Sequence, residues 1–426
     1  MWKKLLITGC VTFSLLSGGT LSAQPSCEIK EEVTSEQLDR TQKELVAMMK
    51  ELKNDSYFQT ELDKAAVQSS LSKRMAAYKD LTVRLLSVLE IQAELEWMKP
   101  EAIQEALGIM KKSSGFDAVL ADKRFGELKS LLAGGFDGIY TGDAQAIDKA
   151  NKTLTLKRKL MLMSPDVNVD KMLTVKFDLG ERANFVGAGS LGIQPNNWSN
   201  LSSASRKNFK AQLVELSGLQ SGELSEKVLY KPAVDGSSVT DLVLNWDGKR
   251  LMFTALDTTR RWQVHELDIN NGEAKQVTNI PEPDLEFFDG TYLPDGRMLA
   301  ISNIGYQGVP CVNGSDAVGN MVLYDPSNGY LRRLTFDQDA NWHPVVMANG
   351  KVMYVRWEYT DLTHYFSRIV MHMNPDGTEQ KSLYGSGSMF PNSIFDVQPL
   401  PKHTNRFVGV ISGHHGVARS GRLMIF

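Results

Sequence analysis

The residues best suited to chemistry in this 426-residue chain sit in three short stretches. GVPCVNG carries Cys311. NWHPVV carries Asn341, Trp342, His343 and Pro344, and VRWEYTD follows with Arg356, Trp357, Glu358, Tyr359 and Asp361. SGHHG carries His414, His415 and Gly416. Six of the seven histidines fall from His343 to His415. Thiolate sulfur with imidazole nitrogen suits zinc or haem iron. Cys311 with His343, His414 and His415 is therefore a candidate metal site, with Zn or Fe as the expected ion. Plainer readings stand beside it. A histidine before proline at a strand entry can bond a backbone carbonyl, a cysteine can be a buried thiol, and paired histidines can rim a channel without metal. Trp342, Arg356, Trp357, Glu358 and Asp361 set charges beside aromatics, a pattern that can line a channel or tie neighbouring strands together.

Several catalytic arrangements are missing. The chain has no G-x-S-x-G elbow, no H-E-x-x-H, no G-x-x-x-x-G-K-[ST] and no C-x-x-C-H for covalent haem. GAGSLG at 187–192 has the wrong spacing for a dinucleotide fingerprint and reads as a tight turn.

The candidate residues lie between copies of a two-part repeat. Its first part is a turn and a hydrophobic strand: WDGKRLMFTA with Gly248, PDGRMLAISN with Gly296 and ANGKVMYVRW with Gly350. Its second part is a tighter turn and a mixed strand: NNGEAKQVT with Gly272, SNGYLRRLT with Gly329 and PDGTEQKSL with Gly377. A repeated antiparallel sheet of this size is the signature of a β-propeller blade. Blades are expected at about 237–280, 285–335 and 340–384. A less regular first blade combines LTVKFDL, AQLVELS and KVLYKPA. A fifth begins at Ser393 and runs through RFVGVIS to RLMIF at Phe426. The long polar loop of 193–207 lies where a blade loop could be functional. Four complete sheets and part of a fifth would leave strand edges open, so the expected propeller is incomplete and the chain reads as the front part of a longer protein.

The region before 165 is helical in pattern. Thr34-Ser35-Glu36-Gln37 has capping-box form, with Leu38, Leu45, Met48, Met49 and Leu52 at helical spacing after it. Leu81, Leu85, Val88, Leu89 and Leu95 form a second run. Pro100 suits the first turn of a helix over 101–112, a short run covers Leu128 to Leu132, and Asp143 can cap a helix over 144–162. Each run has one apolar stripe, which predicts a helical bundle; the stripes are too short and irregular for a dimerising coiled coil. The fold class is thus α + β multi-domain: signal peptide 1–23, helical domain 24–165, and an antiparallel β-propeller of four to five blades over 166–426.

Composition places this among folded proteins, with 42% hydrophobic and 23% charged residues. A net charge of −3 gives no electrostatic case for nucleic acid. Lys3 and Lys4 precede an apolar run from Leu5 to Leu16, and Leu21-Ser22-Ala23 offers a cleavage site before Gln24, so export to the periplasm or outside the cell is expected. The apolar run is too short for a membrane span, and no other segment could cross. Ile7-Thr8-Gly9-Cys10 resembles a lipoprotein box, but the segments before it are too short to favour lipidation. The mature chain keeps Cys27 and Cys311, read as independent thiols.

FFDGTYLPDGRMLAIS, NWHPVVMANGKVMYVRWEYTD and SGHHGVARSGRLMIF, in that order and spacing, resemble the propeller of proteins related to the hydrazine synthase alpha subunit, including its middle domain. Residues 172–284 are similar to general TolB-like repeats, and the helical region lies outside the resemblance. The resemblance implies an exported propeller, with haem and a metal held in the fold. It points by position to Cys311, His343, Asp361, His414 and His415. With C-x-x-C-H missing, covalent haem and hydrazine chemistry do not carry over. Two readings follow: an exported propeller that binds a protein or small ligand, or the N-terminal part of a metal- or haem-dependent redox enzyme. A propeller gating a hydrolase would need a domain this sequence does not supply.

Overall fold

The structure, a computed structural model, describes residues 33–167, 169–178, 206–207, 210–220, 224–310, 313–358, 368–386, 393–401, 403, 405–413 and 421–426. The signal segment 1–23, Cys27, the GAGSLG turn, most of the 193–207 loop, Cys311, Tyr359, Asp361 and the His414-His415-Gly416 run lie outside the described residues. The chain divides into two compact units. One takes Met1–Met172 with Leu216–Glu226, and the other takes Leu173–Glu215 with Lys227–Phe426.

Six helices form the first unit: α1 (Ser35–Met49), α2 (Ser56–Ala66), α3 (Leu71–Glu96), α4 (Pro100–Met110), α5 (Ala118–Ala133) and α6 (Ala144–Met161). Their starts are fixed by side chains that satisfy the orphan N–H groups of a first turn. The Thr34 hydroxyl accepts from the Gln37 N–H at 3.2 Å, and the Gln37 side chain accepts from the Thr34 N–H at 2.9 Å. Ser70, Asp117 and Asp143 accept from Lys73, Leu120 and Gln145 in the same way. α3 is 26 residues long and starts ten residues before the stripe that signals it. α2 carries only three buried residues, Phe58, Leu62 and Ala65, which is why its pattern is faint. Leu45, Met48, Phe58, Tyr78, Leu85 and Ile139 share one core; Ile103, Leu107, Phe125, Leu128 and Leu160 share another.

Eighteen described strands follow, in five small antiparallel sheets with a five-blade propeller arrangement. The first holds β1 (Lys171–Asp178), β2 (Lys210–Ser217) and β3 (Ser225–Tyr230). The second holds β4 (Val239–Leu244), β5 (Arg250–Leu256), β6 (Trp262–Asp268) and β7 (Ala274–Gln276). The third holds β8 (Phe287–Tyr292), β9 (Met298–Ser302), β10 (Asn320–Asp325) and β11 (Tyr330–Arg333). The fourth holds β12 (Asn341–Val346), β13 (Val352–Trp357), β14 (Arg368–Met373) and β15 (Lys381–Tyr384). The fifth holds β16 (Ile394–Pro399), β17 (Phe407–Ile411) and β18 (Arg422–Ile425). Three sheets show four described strands; the first and the fifth show three.

The repeat maps onto hairpins. Gly248, Gly296 and Gly350 join first to second strands with φ of 66°, 91° and 79°, and Gly272, Gly329 and Gly377 join third to fourth strands, also at positive φ. Only glycine holds such turns without steric cost. Cores form between successive sheets. Met252 and Val264 pack with Phe287, Ala300 and Val322. Trp342, Val355 and Trp357 pack with Ile394, Phe395 and Phe407.

A buried ion pair fixes the segment before β2. The Arg206 guanidinium lies 2.6 Å from Glu286, whose side chain is only 6% exposed and also accepts from the Trp262 N–H at 3.1 Å. Breaking a fully buried pair costs roughly 3–5 kcal/mol. Arg206 keeps 34% of its side chain in water, so R206M is expected to cost less, about 2 kcal/mol in urea unfolding. R206M/E286Q should recover most of that loss, because no charge is then left buried and the amide oxygen can still accept the Trp262 N–H. A double variant no more stable than R206M would refute this account.

Candidate functional site at the first-strand bulges

The first strand of each of the last four sheets lies on that sheet's free edge, and β4, β8, β12 and β16 face one another in sequence around the propeller axis. Each is broken by a β-bulge at the same place. Register shifts fall between Thr240 and Val243, Phe288 and Thr291, Trp342 and Val345, and Phe395 and Gln398. The first bulged residue in each case is left-handed and is not glycine: Asp241 at φ 54°, Asp289 at 53°, His343 at 54° and Asp396 at 50°. Asp and His are among the few side chains that tolerate this region. Pro344, which has no N–H to donate, suits both the edge position of β12 and this break in its ladder.

These four side chains form a row. The Asp289 N–H donates to Asp241 Oδ2 at 3.0 Å and to Thr254 Oγ1 at 3.2 Å. The His343 N–H donates to Asp289 Oδ2 at 2.6 Å. A bulge turns one N–H out of the ladder, and the carboxylate of the preceding sheet takes it up. The imidazole continues the row. His343 Nδ1 is 3.5 Å from Asp289 Oδ2, and Nε2 is 3.3 Å from Asp396 Oδ1. A neutral imidazole has one N–H, so only the imidazolium can donate at both ends. Exposure rises along the row, from 16% at the Asp289 and His343 side chains to 44% at Asp396.

Asp241 is the costly member. Burial pushes its carboxyl up from the ordinary 3.8 to about 6, and the nearby Asp289 charge pushes the same way, against hydrogen bonds from Thr254 and Asp289 and the attraction of His343. A carboxyl whose folded pKa is raised is destabilising when ionised. The penalty is absent below about pH 4 and complete above about pH 6.

The other predicted residues serve packing in the described structure. Trp342 and Trp357 are each 1% exposed, with ring centroids 6.2 Å apart, and Phe395 lies 5.7 Å from Trp342. Arg368 stacks over Trp357 at 4.3 Å. Arg356 pairs with Asp337 at 2.9 Å and with Glu358, and Asp337 also accepts from Asn341 Nδ2 at 3.1 Å. Burial raises the Glu358 carboxyl, with Arg356 opposing. Among the described residues no group of three or more His, Cys, Asp or Glu is placed to hold a metal ion. His343 is the one member of the predicted metal set that is described, and both its nitrogens face carboxylates.

Asp241, Asp289 and Asp396 escape a reading of the sequence that searches for cysteine and histidine. A signal was present: Asp241, Asp289 and His343 each stand seven residues before the turn glycines Gly248, Gly296 and Gly350.

The fold and the row define a propeller-bearing protein whose first strands carry polar bulge residues. No protein-family model and no curated protein matches the chain. Among solved structures, hydrazine synthase of Kuenenia stuttgartiensis is similar over 60% of this chain and 37% of its own, at 15% identity and a TM-score of 0.45. A TolB from Agrobacterium tumefaciens is similar over 56% of this chain and 76% of its own, at 13% identity and 0.33. A TolB from Acinetobacter baumannii is similar over 55% of this chain and 64% of its own, at 16% identity and 0.31. The chain thus spans little more than a third of the hydrazine synthase chain it overlays.

D241N removes the buried charge and keeps an oxygen to accept the Asp289 N–H. Its melting temperature relative to the unchanged protein is expected to rise as pH goes from 4.5 to 7.5. A difference that stays flat across that range would sink the assignment of charge burial to Asp241.

Proposed function

We propose that this chain is an exported propeller protein that binds a protein or small ligand, and that the row Asp241, Asp289, His343 and Asp396 marks its recognition end. One observation carries this reading: the same left-handed bulge position holds a carboxylate or an imidazole in four successive first strands. Left-handed backbone at non-glycine residues costs roughly 1–3 kcal/mol each and persists where surrounding structure compels it, often at functional sites. Asp396 opens the row to solvent, so a ligand that donates hydrogen bonds or carries positive charge suits it. The test is affinity purification of the tagged chain from its own host beside D396N. A partner or ligand kept by the unchanged chain and lost from D396N is expected. Equal recovery from both removes the row as the recognition end.

Export rests on the leader-like residues 1–23. Among the described residues no helix is long and apolar enough to cross a membrane. The expected mature N-terminus is Gln24, read by N-terminal sequencing of the chain from its host. An unprocessed Met1 in the soluble protein would refute cleavage.

The second reading is a metal- or haem-dependent redox enzyme related to the hydrazine synthase alpha subunit. The W-H-P, R-W-E-Y-x-D and H-H-G stretches favour it. The described residues do not suit a metal, since His343 turns both nitrogens to carboxylates. Stoichiometric zinc or iron in the native protein, lost in C311S, would decide for this reading.

A further inference from the structure

The outermost described strand of the fifth sheet, β18, differs from its counterparts. The residue before each first-strand bulge leads across two ladder pairs to one place on the third strand. Thr240 leads through Thr254 to Val264, and Phe288 through Ile301 to Met321. Trp342 leads through Val355 to Val370, and Phe395 through Val410 to Leu423. Val264, Met321 and Val370 are fully buried, whereas Leu423 is 72% exposed and Ile425 is 63% exposed.

The backbone at this place differs too. Val264 accepts the Val277 N–H at 2.8 Å and donates to the Thr278 hydroxyl at 3.1 Å. Met321 accepts the Leu334 N–H at 2.8 Å and donates to the Thr335 hydroxyl at 2.8 Å. Val370 pairs with Tyr384. β18 pairs with β17, and among the described residues no strand lies on its other side. Phe407 and Phe426 exchange both N–H to O bonds, at 3.2 and 2.8 Å. Antiparallel pairs alternate, so the N–H and C=O groups of Leu423 and Ile425 point to the open edge. The outer strands of the other sheets carry Lys275, Arg332 with Arg333, and Lys381, charges of the kind that discourage edge pairing. β18 carries only Arg422, at its start, and is apolar beyond it.

This edge is complementary to itself. With two β18 strands antiparallel and Met424 opposite Met424, Leu423 of each copy stands opposite Ile425 of the other. These are the residues whose backbone groups face outward, so every outward group finds a partner. Moving the register by two residues leaves Leu423 or Ile425 without its apolar partner. Leu423 and Ile425 lie on one face of the strand, and the seam takes those of both copies out of water together. On the other face, Arg422 of one copy comes opposite Phe426 of the second. That ring is stacked on Phe407 with centroids 5.1 Å apart, and a guanidinium beside an aromatic face is attracted to it.

We propose that the open edge of β18 pairs with β18 of a second copy of this chain, antiparallel about Met424, joining the two fifth sheets across a two-fold axis. The contact is independent of the bulge row and of the function assigned to it. A seam of two four-residue strands falls short of the roughly 800 Å² per partner of a standard interface, so the dimer forms and dissociates with concentration.

The test is sedimentation velocity of the full chain from about 1 µM to about 500 µM, the range of a weak association. A monomer–dimer equilibrium is expected. L423K/I425K should raise its dissociation constant at least about tenfold by setting like charges opposite each other. Its melting temperature should stay that of the unchanged protein, because both side chains are exposed. M424C reads the register. Residues opposite each other at a pair without hydrogen bonds have Cα atoms about 4.5 Å apart, within disulfide reach. Under mild oxidation M424C should give a covalent dimer that neither the unchanged chain, with the same native cysteines, nor L423C gives. A monomer at every concentration, a dimer that L423K/I425K leaves as strong, or M424C cross-linking no more than L423C would each overturn the proposal. A monomer whose Leu423 amide resists hydrogen exchange would overturn it in favour of a strand supplied within one molecule.

Discussion

The second, third and fourth sheets of the propeller are linked by one hydrogen bond made twice, in which a bulge N–H of one sheet donates to the bulge side chain of the sheet before it. A bulge frees a backbone N–H by breaking the ladder, and an unpaired N–H inside a protein is costly. Asp241 takes the N–H of Asp289, and Asp289 takes that of His343. The placement of β8 against β4 and of β12 against β8 is thereby tied by a charged acceptor, a stronger bond than one between neutral groups. The apolar cores between sheets supply the bulk of the burial, but they are non-directional. The N–H to carboxylate bonds add direction.

The row changes character at His343, and that change follows from its side chain. An aspartate can only accept, so it serves the next backbone N–H. An imidazole can donate, and Nε2 reaches the Asp396 carboxylate instead. Burial does most to raise the Asp241 carboxyl, and the neighbouring Asp289 charge adds to it. The His343 imidazole in third place lies between the Asp289 and Asp396 carboxylates, and its attraction works against the upward push on Asp241.

The architecture was legible because blade hairpins need glycine at left-handed turns, and Gly248, Gly296 and Gly350 repeat with their hydrophobic strands. Helix starts were legible for the same local reason: Thr34, Gln37 and Asp143 satisfy N–H groups a few residues away. The bulge row was not, although its spacing from the turn glycines is constant. Its members differ in type, and its contacts join residues 48 and 54 positions apart. Arg356 and Trp357 suggest chemistry in sequence because charge stands beside aromatic rings. In the structure their partners are Asp337, Glu358, Trp342 and Arg368, all within the same sheet or the turn leading into it.

The two functional readings meet at one side chain. A metal needs a lone pair on a His343 nitrogen, and so does a proton shared with a carboxylate. A metal there must displace one of the two contacts. The Asp289 contact is reinforced by the His343 backbone N–H at 2.6 Å and sits at 16% exposure, whereas the Asp396 contact is a single approach to a side chain 44% exposed. Water can solvate the released Asp396 carboxylate, but Asp289 would lose a partner in a confined place. The Asp396 end is therefore the one at which the row is open to water, and its contact with Nε2 is the one most easily exchanged.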